Sequence, residues 1–279
     1  MPFAVRILAD SLAPCGKRLT TFEVTYPRFV HAEALTHRQL SRNSSSSRAI
    51  PIQKMIRAVI ADPAHPVYWG ANQAGMQARD ALDGWRLAAA GSLWFGSRWI
   101  AVVVAWLLWR IGLHKQIANR ILEPWMWITV VISATEWANF FALRDHPDAQ
   151  PEIAHLAAWM RREFATSQPM NLRTGEWHLP YVDESEARRI RSLSLDPRAV
   201  SVGRVARVSY LTHDGRRDFY EDVKLHDRLR GALPPHMSPF EHVAQACSTA
   251  EPSGNFIGFR QYRKEIPNEC ARELEGITA

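Results

Sequence analysis

Residues 36–51 hold the densest set of chemically useful side chains in this chain: His37, Arg38, Arg42, Asn43, Arg48 and the serines at 41, 44, 45, 46 and 47. Three guanidinium groups supply forked N–H donors that match phosphate or carboxylate oxygens. The hydroxyls and backbone N–H groups of a serine-rich turn suit the same anion. Serine and asparagine also compete with helix by bonding nearby backbone, so residues 41–47 are expected to form a turn or loop. A solvated polar linker would have a similar composition. The flanks argue for something more fixed: Phe22-Glu23-Val24-Thr25-Tyr26 alternates as a strand does, and Ile50-Pro51 closes the loop abruptly.

Bulk properties narrow the ligand. A chain of 279 residues, 47% hydrophobic, can bury one large core or two modest ones. A formal charge of +6 and a pI near 9.5 favour anionic partners. The positive charge is scattered instead of forming a basic tail, which favours small phosphorylated ligands over nucleic acid. Cys15, Cys247 and Cys270 make an odd set without metal-type spacing, so a reducing cytoplasm is the expected compartment. His236, Glu241 and His242 are close in sequence, but Pro234, Pro235 and Pro239 and the lack of a helical His spacing argue against a metal site, and none is expected. The apolar run at the start is too short for a signal peptide. The one membrane candidate is residues 99–109, between Arg98 and Arg110. Eleven apolar residues fall short of the ~20 that span a bilayer, so a buried or interface helix is expected there.

The elements that must position these groups follow from periodicity. Residues 3–8 and 19–35 read as strands. Pro51 opens a helix through Met55, Ile56, Val59 and Ile60, broken at 61–66. Residues 77–132 read as helical and tryptophan-rich, and the rings are expected to serve core and subunit contacts. Asn139, Leu143 and Arg144 fall at helical spacing, so Asn139 and Leu143 share a face with Arg144 beside them. Pro151 suits the first turn of a helix over 152–164. A polar loop is expected at 165–182, a helix from 183, another after Pro197 reaching Ser209-Tyr210, and an amphipathic helix at 219–231. Residues 234–242 read as a rigid turn leading into a strand.

Four separated segments resemble flavin-dependent thymidylate synthases. That family carries a signature Arg-His-Arg, then seven residues, then Ser, with Ser, Asn and a final Arg within or just beyond it. This chain is similar at His37-Arg38, Ser41, Asn43, Ser46 and Arg48. Ala206-Arg207-Val208-Ser209-Tyr210 resembles the family's flavin-contacting segment. His236 and Ser238-Pro239-Phe240-Glu241-His242 resemble its next motif, and Asn139, Leu143 and Arg144, followed by Ala149-Gln150 and Glu152-Ile153, resemble its nucleotide-binding helix. Arg120, four residues before Pro124, resembles a further nucleotide-binding arginine. The order departs from the family, in which the segment around 238–242 precedes the signature. The resemblance therefore implies a circularly permuted member with a partly repeated junction strand. A permutation is tolerable where termini lie at the surface.

The resemblance implies one α+β domain over 1–279, a mixed or antiparallel sheet packed with a helical bundle. Residues 1–51 would give strands and the signature loop, 52–164 the helical part, and 196–269 the permuted flavin segment. It implies FAD as cofactor, with methylenetetrahydrofolate and NADPH as co-substrates and dUMP converted to dTMP. By resemblance, His37, Arg38, Asn43, Asn139, Ser209, Ser238 and Glu241 would contact FAD. Glu33, Ser46, Ser47, Arg48, Arg120 and Arg144 would hold the nucleotide, and His236 and Arg144 would take catalytic parts. Family members are homotetramers with sites shared between subunits, and no cysteine nucleophile is needed. Thr36 replaces the first Arg of the signature, Ala49 the usual Tyr, Ser44 an acidic or amide residue, and Glu33 a Gln. Arg263 or Lys264, from the repeated strand, would stand in for the arginine lost at Thr36. A carboxylate only accepts hydrogen bonds, so Glu33 facing the base would prefer a cytosine amino group over a uracil carbonyl. Methylation or hydroxymethylation of dCMP or dUMP therefore stands beside dTMP formation. A single-stranded nucleic-acid binder is the remaining reading, and it lacks stacking aromatics in the loop itself.

Overall fold

The computed structural model describes residues 3–210 and 218–270; residues 211–217 of the expected 196–269 flavin segment, and residues 1–2 and 271–279 of the expected 1–279 domain, lie outside the described residues. Strands β1 (Ala4–Leu12) and β2 (Arg18–Pro27) form an antiparallel hairpin, rich in the Val, Ile, Thr and Phe that suit a half-buried pleat. The strand expected to continue to residue 35 stops at Pro27. A 3-10 turn at Arg28–Val30 and helix α1 (His31–Leu35) follow. Proline cannot extend the ladder, and the Tyr26 hydroxyl bonds His31 Nδ1 at 2.8 Å across the corner.

Two further expectations give way to strands. Residues 41–44, read as loop, form β3 (Ser41–Ser44), and residues inside the expected helical part form β4 (Trp127–Ala134). The run Ile128-Thr129-Val130-Val131-Ile132 is β-branched throughout and is buried on both faces, which strips it of any visible alternation. The serines of β3 adopt extended backbone because β4 offers a complete ladder to pair with, Ser41 to Ser133 and Asn43 to Val131. Strand order is β3-β4-β2-β1-β5, with β5 (Met170–Asn171) parallel to β1 and the other pairs antiparallel.

Between β3 and β4 lie α2 (Ile52–Ala61), α3 (Gly84–Arg110), α4 (Lys115–Ala118) and a 3-10 turn at Asn119–Trp125. Ile52, Met55 and Val59 of α2 pack with Ala101, Val102, Ala105 and Leu122 as a second core. The apolar run near Trp99 belongs to a helix of 27 residues, about 40 Å long at 1.5 Å per residue. The length argument against a membrane span therefore falls: α3 is long and apolar enough to cross one by length and composition. Helices α5 (Ala138–Arg144) and α6 (Pro151–Thr166) follow β4 and cover the main sheet, where Phe22, Tyr26, Ile128, Phe140, Ile153 and Leu156 form the principal core.

The remainder packs on the other side of the polar centre. The loop expected at 165–182 contains β5 and β6 (Trp177–His178). Helices α7 (Glu184–Ser192), α8 (Pro197–Arg207) and α9 (Phe219–Arg230) are capped at their N-termini by Asp183, Asp196 and Asp218. Gly203 lets α8 and α9 touch, because a Cβ there would sit 2.3 Å from the Asp222 carbonyl oxygen. Arg204 bridges Glu186 of α7 and Asp222 of α9. A 3-10 turn at Ser238–Glu241 leads to β7 (Ala244–Ala246), then the small hairpin β8 (Pro252–Ser253) and β9 (Phe256–Ile257), and β10 (Phe259–Gln261). β10, β7 and β6 make a second sheet, so the repeated junction strand does not join the main one.

A buried chain of hydrogen bonds links the two sheets. Ser11 Oγ meets His178 Nδ1 at 2.8 Å, and His178 Nε2 meets Thr21 Oγ1 at 2.8 Å. Thr21 Oγ1 meets Ser133 Oγ at 2.6 Å, which meets His242 Nδ1 at 2.8 Å. Burial pushes both imidazoles down to about 3, so each is neutral in the folded protein. The unfolded chain, with histidines near 6.5, takes up those protons first. Their contribution to stability is therefore complete above pH 6.5 and is lost as pH falls from there toward 3. Thermal midpoints should drop steadily between pH 7 and 5, and His178→Gln should reduce the linked proton uptake on unfolding in that window by about one.

Candidate functional site

Strand β3 turns Ser41 and Asn43 toward one face and Arg42 and Ser44 toward the other, as its period of two requires. Asn43 is 5% exposed. Its Nδ2 donates to the Val205 carbonyl at 2.8 Å, and its Oδ1 accepts from Ser209 Oγ and Ser238 Oγ, each at 3.3 Å. Three residues expected around one cofactor from distant segments are thus joined at one carboxamide. The Ser46 N–H donates to the Ser209 carbonyl at 3.0 Å, and Ser41 Oγ accepts from Asn255 and Gln261 side-chain amides at 3.1 Å. Backbone and side chains alike stitch the signature segment to the segment that follows it by more than 150 residues.

Where α1 meets α5, a concave pocket of about 390 Å³ is lined by Thr36, His37, Arg38, Asn139, Leu143 and Arg144, among others. Helical spacing puts the last three on its rim, as expected. Arg144 Nε donates to His37 Nε2 at 2.7 Å, and its terminal nitrogen to Thr36 Oγ1 at 2.9 Å. A guanidinium only donates, so His37 Nε2 is the unprotonated nitrogen. Partial burial, then the charges of Arg144 and Arg42, holds this imidazole below its ordinary value. Arg144 supplies a cation beside the threonine that replaces the family's arginine. Neither Arg263 nor Lys264 does so: both are ion-paired to Glu269, and Arg263 also to Glu241. Arg38 and Asn139 are exposed and make no hydrogen bond among the described residues.

The turn after β3 is held from beneath. Asn119 Nδ2 donates to the Ser47 and Ile50 carbonyls at 2.7 and 2.9 Å, and Lys115 Nζ to the Ala49 carbonyl at 3.0 Å. Glu123 Oε1 then gathers Ser47 Oγ at 2.8 Å, Arg120 at 2.9 Å and Arg28 at 3.1 Å. Arg120 and Ser47, expected at the nucleotide, are brought together by a carboxylate that sequence reasoning missed. The spacing of Arg120 and Glu123, three apart on a helical turn, was the available signal. Arg48 is exposed on the same turn.

Other expected residues stand apart from these clusters. The Glu241 carboxylate is engaged by Arg263, so its expected contact with a cofactor is already occupied by a cation. His236 lies exposed on the loop before the 3-10 turn, where its backbone N–H donates to the Leu229 carbonyl at 3.0 Å and its imidazole makes no hydrogen bond among the described residues. Glu33 sits on α1, with Oε2 buried and unpartnered among the described residues, and does not line the His37–Arg144 pocket. Cys15, Cys247 and Cys270 are free thiols, and no three metal-ligating side chains cluster among the described residues.

The chemistry on offer is recognition of phosphate-bearing ligands: a pocket with Arg38 and Arg144 at its mouth, and a serine turn ringed by Arg48, Arg120, Arg28 and Lys115. No curated protein sequence matches this chain. Two solved structures of a UMP/dUMP methylase, PolB from Streptomyces cacaoi, are similar at the level of partial fold. The complex with 5-Br UMP is 17% identical, with a TM-score of 0.46, over 58% of this chain and 88% of that one. The complex with 5-Br dUMP is 16% identical, with a TM-score of 0.46, over 58% and 90%. A family model described as thymidylate synthase complementing protein matches residues 17–170, which hold the serine turn, the Arg144 pocket and the Glu123 corner. With more than half of its length in that match, the chain belongs to the thymidylate synthase complementing protein family and is an enzyme of the pyrimidine-nucleotide C5 methyltransferase kind.

Proposed function

We propose that this protein transfers a one-carbon unit from methylenetetrahydrofolate to C5 of dUMP, with FAD as its resident cofactor and NADPH as reductant, giving dTMP. The observation that carries the reading is the junction at Asn43, where Ser209 and Ser238 converge on the signature strand despite the altered chain order. The donor set fits a flavin dinucleotide. Arg38 and Asn139 offer uncommitted donors to a diphosphate, His37 adds its Nδ1, and the Ser209 and Ser238 hydroxyls, their protons given to Asn43, keep lone pairs to accept from a polar ring edge. Reduced flavin, when bound, would supply the hydride.

The chain's own residues would position the reactants. Ser46, Ser47, Arg48 and Arg120 form the nucleotide phosphate site, with Glu123 fixing the rotamers of Ser47 and Arg120 before the ligand arrives. Arg144, oriented by His37 and Thr36, carries positive charge toward the base or phosphate. The exposed His236 imidazole passes a proton near flavin and folate. Glu241 holds Arg263 close to Ser238 and reaches the cofactor only if that pair opens. We take the chain as one domain, because bonds from Asn43, Ser41 and His242 cross between its segments. A homotetramer with sites shared between subunits accounts for the exposure of Arg48 and His236, and a cytoplasmic setting accords with three free thiols. One observation favours a second product: the unpartnered Glu33 oxygen accepts only, which suits the amino group of dCMP.

Incubation with FAD, NADPH, methylenetetrahydrofolate and either dUMP or dCMP, followed by product mass, tests the reading. A methyl gain on dUMP is expected. A hydroxymethyl gain, or product only from dCMP, selects the second reading. Bound flavin without product from either nucleotide rejects both. Arg120→Ala should raise the nucleotide KM about tenfold, the loss of one charge-assisted contact of ~1.4 kcal/mol, without changing flavin content. Arg38→Ala should instead lower the flavin retained on purification, read from the absorbance ratio of flavin to protein.

A further inference from the structure

Ser11, His178, Thr21, Ser133 and His242 form an unbroken line of exchangeable protons between the two sheets, outside the site described above. None of the five is more than 1% exposed, so bulk water does not reach the middle of the line. Sealing the sheets does not demand such residues. Val131, two residues from Ser133 on the same face of β4, packs with Val205 and Val208 and leaves no polar side chain to satisfy.

Every link can run either way. A hydroxyl both donates and accepts, and a neutral imidazole donates from one nitrogen while accepting at the other. In one sense of the line, Ser11 donates to His178 Nδ1, His178 Nε2 to Thr21, Thr21 to Ser133, and Ser133 to His242 Nδ1. The ring proton of His242 then sits on Nε2. In the other sense every link is reversed and Nε2 is bare. The two senses differ by one proton carried from Ser11 to His242, and neither leaves a charge inside the protein. Burial, which keeps both rings neutral, suits that exchange.

The ends are placed to load and unload. Ser11 lines a cavity of about 800 Å³ together with Asp10, Glu176, Asp183 and Glu184, and this cavity shares no lining residue with the His37–Arg144 pocket. At the far end, His242 Nε2 is buried without a partner among the described residues. It stands one residue past the Ser238–Glu241 turn, whose Ser238 hydroxyl reaches Asn43. We propose that this line is a proton relay, taking protons from the acidic cavity at Ser11 and delivering them from His242 Nε2 to the folate reacting beside that turn. The inference rests on the proposed one-carbon transfer, whose balance calls for one proton from solvent. Tetrahydrofolate leaves with two N–H bonds where the methylene was held. C5 of the nucleotide gives up one of those protons, the hydride completes the methyl group, and the other proton is the one relayed.

Thr21→Val cuts the line at its middle with little change of shape, Ser133→Ala cuts the next link, and Thr21→Ser keeps it whole. Proton exchange into heavy water, followed by magnetic resonance on flavin-free protein with isotope-labelled histidine, reads the line directly. Both cuts should abolish exchange of the His242 ring N–H over the time in which the wild type completes it, while His178 keeps its rate. A purely structural line gives the opposite result, because a loosened core opens more often and exchanges faster. In the loaded enzyme each cut should lower kcat on the order of 100-fold, the low end of what a positioned proton donor contributes. Nucleotide KM and flavin content should not change, and Thr21→Ser should recover the rate. Undiminished exchange at His242 in the cut variants overturns the relay, as does wild-type turnover in either of them. So does a wild-type His242 that holds its proton as long as the core amides hold theirs. A wild type that makes no product defeats the one-carbon reading instead, and the exchange measurement still decides the relay.

Discussion

The buried Asn43 carboxamide is the joint on which the two parts of this protein depend. An amide side chain can donate and accept at once, and Asn43 does both. Its nitrogen satisfies the Val205 carbonyl near the end of α8, and its oxygen receives two serine hydroxyls. An apolar residue of similar size would leave that carbonyl with the Val208 N–H alone and take away the acceptor shared by the two serine hydroxyls. An aspartate could accept from the serines but could not donate to Val205. The residue ties the proposed site to the fold by one set of bonds, since the strand register that buries Asn43 also aims the following serine turn at Arg120 and Glu123.

Around that joint, charge is arranged so that few cations meet one another without a carboxylate between them. Glu123 separates Arg28 from Arg120, Glu241 and Glu269 hold Arg263, and Asp222 lies between Arg204 and Arg207. Two of these clusters differ in kind. The Arg204–Asp222 pair is almost wholly buried and fixes α8 against α9, where removing one partner would strand the other. The Glu123 corner is partly open, so its carboxylate is solvated and can yield its cations to a stronger dianion. That contrast suits the second to ligand exchange under the proposed function and the first to architecture.

How much of this could be read from the sequence depends on which interactions are local. Helices with a proline or aspartate at the N-terminus and an apolar stripe, α6 and α8 for example, were legible because cap and period lie within one turn of each other. That Asn139, Leu143 and Arg144 lie together on one side of α5 followed from helical spacing, and the pocket they line came only through the family resemblance. β4 was not legible, since a strand buried on both faces has no alternation to display. β3 was not legible either, because a serine run becomes a strand only when a partner ladder exists, and that ladder is β4. Missing one strand hid the other. The signature residues were visible through their resemblance to a family, whereas Glu123 and the His178–His242 chain depend on long-range geometry that no spacing encodes.

The second sheet exists because the chain after the 238–242 turn has no place in the main one, where β2 already lies between β1 and β4. The chain leaving His242 must satisfy its backbone groups elsewhere, and β7 does so by pairing with β6 and β10. The cost of that detour is a polar seam between the two sheets. Ser11, Thr21, Ser133, His178 and His242 fill it with mutual hydrogen bonds, because five buried polar side chains facing one another are tolerable only when bonded. His242 closes the seam directly beside Glu241, so the polar network that seals the two sheets together also fixes where the Ser238–Glu241 turn meets Asn43. Topology, buried polarity and site geometry are consequently one constraint, and none of them can be changed without moving the other two.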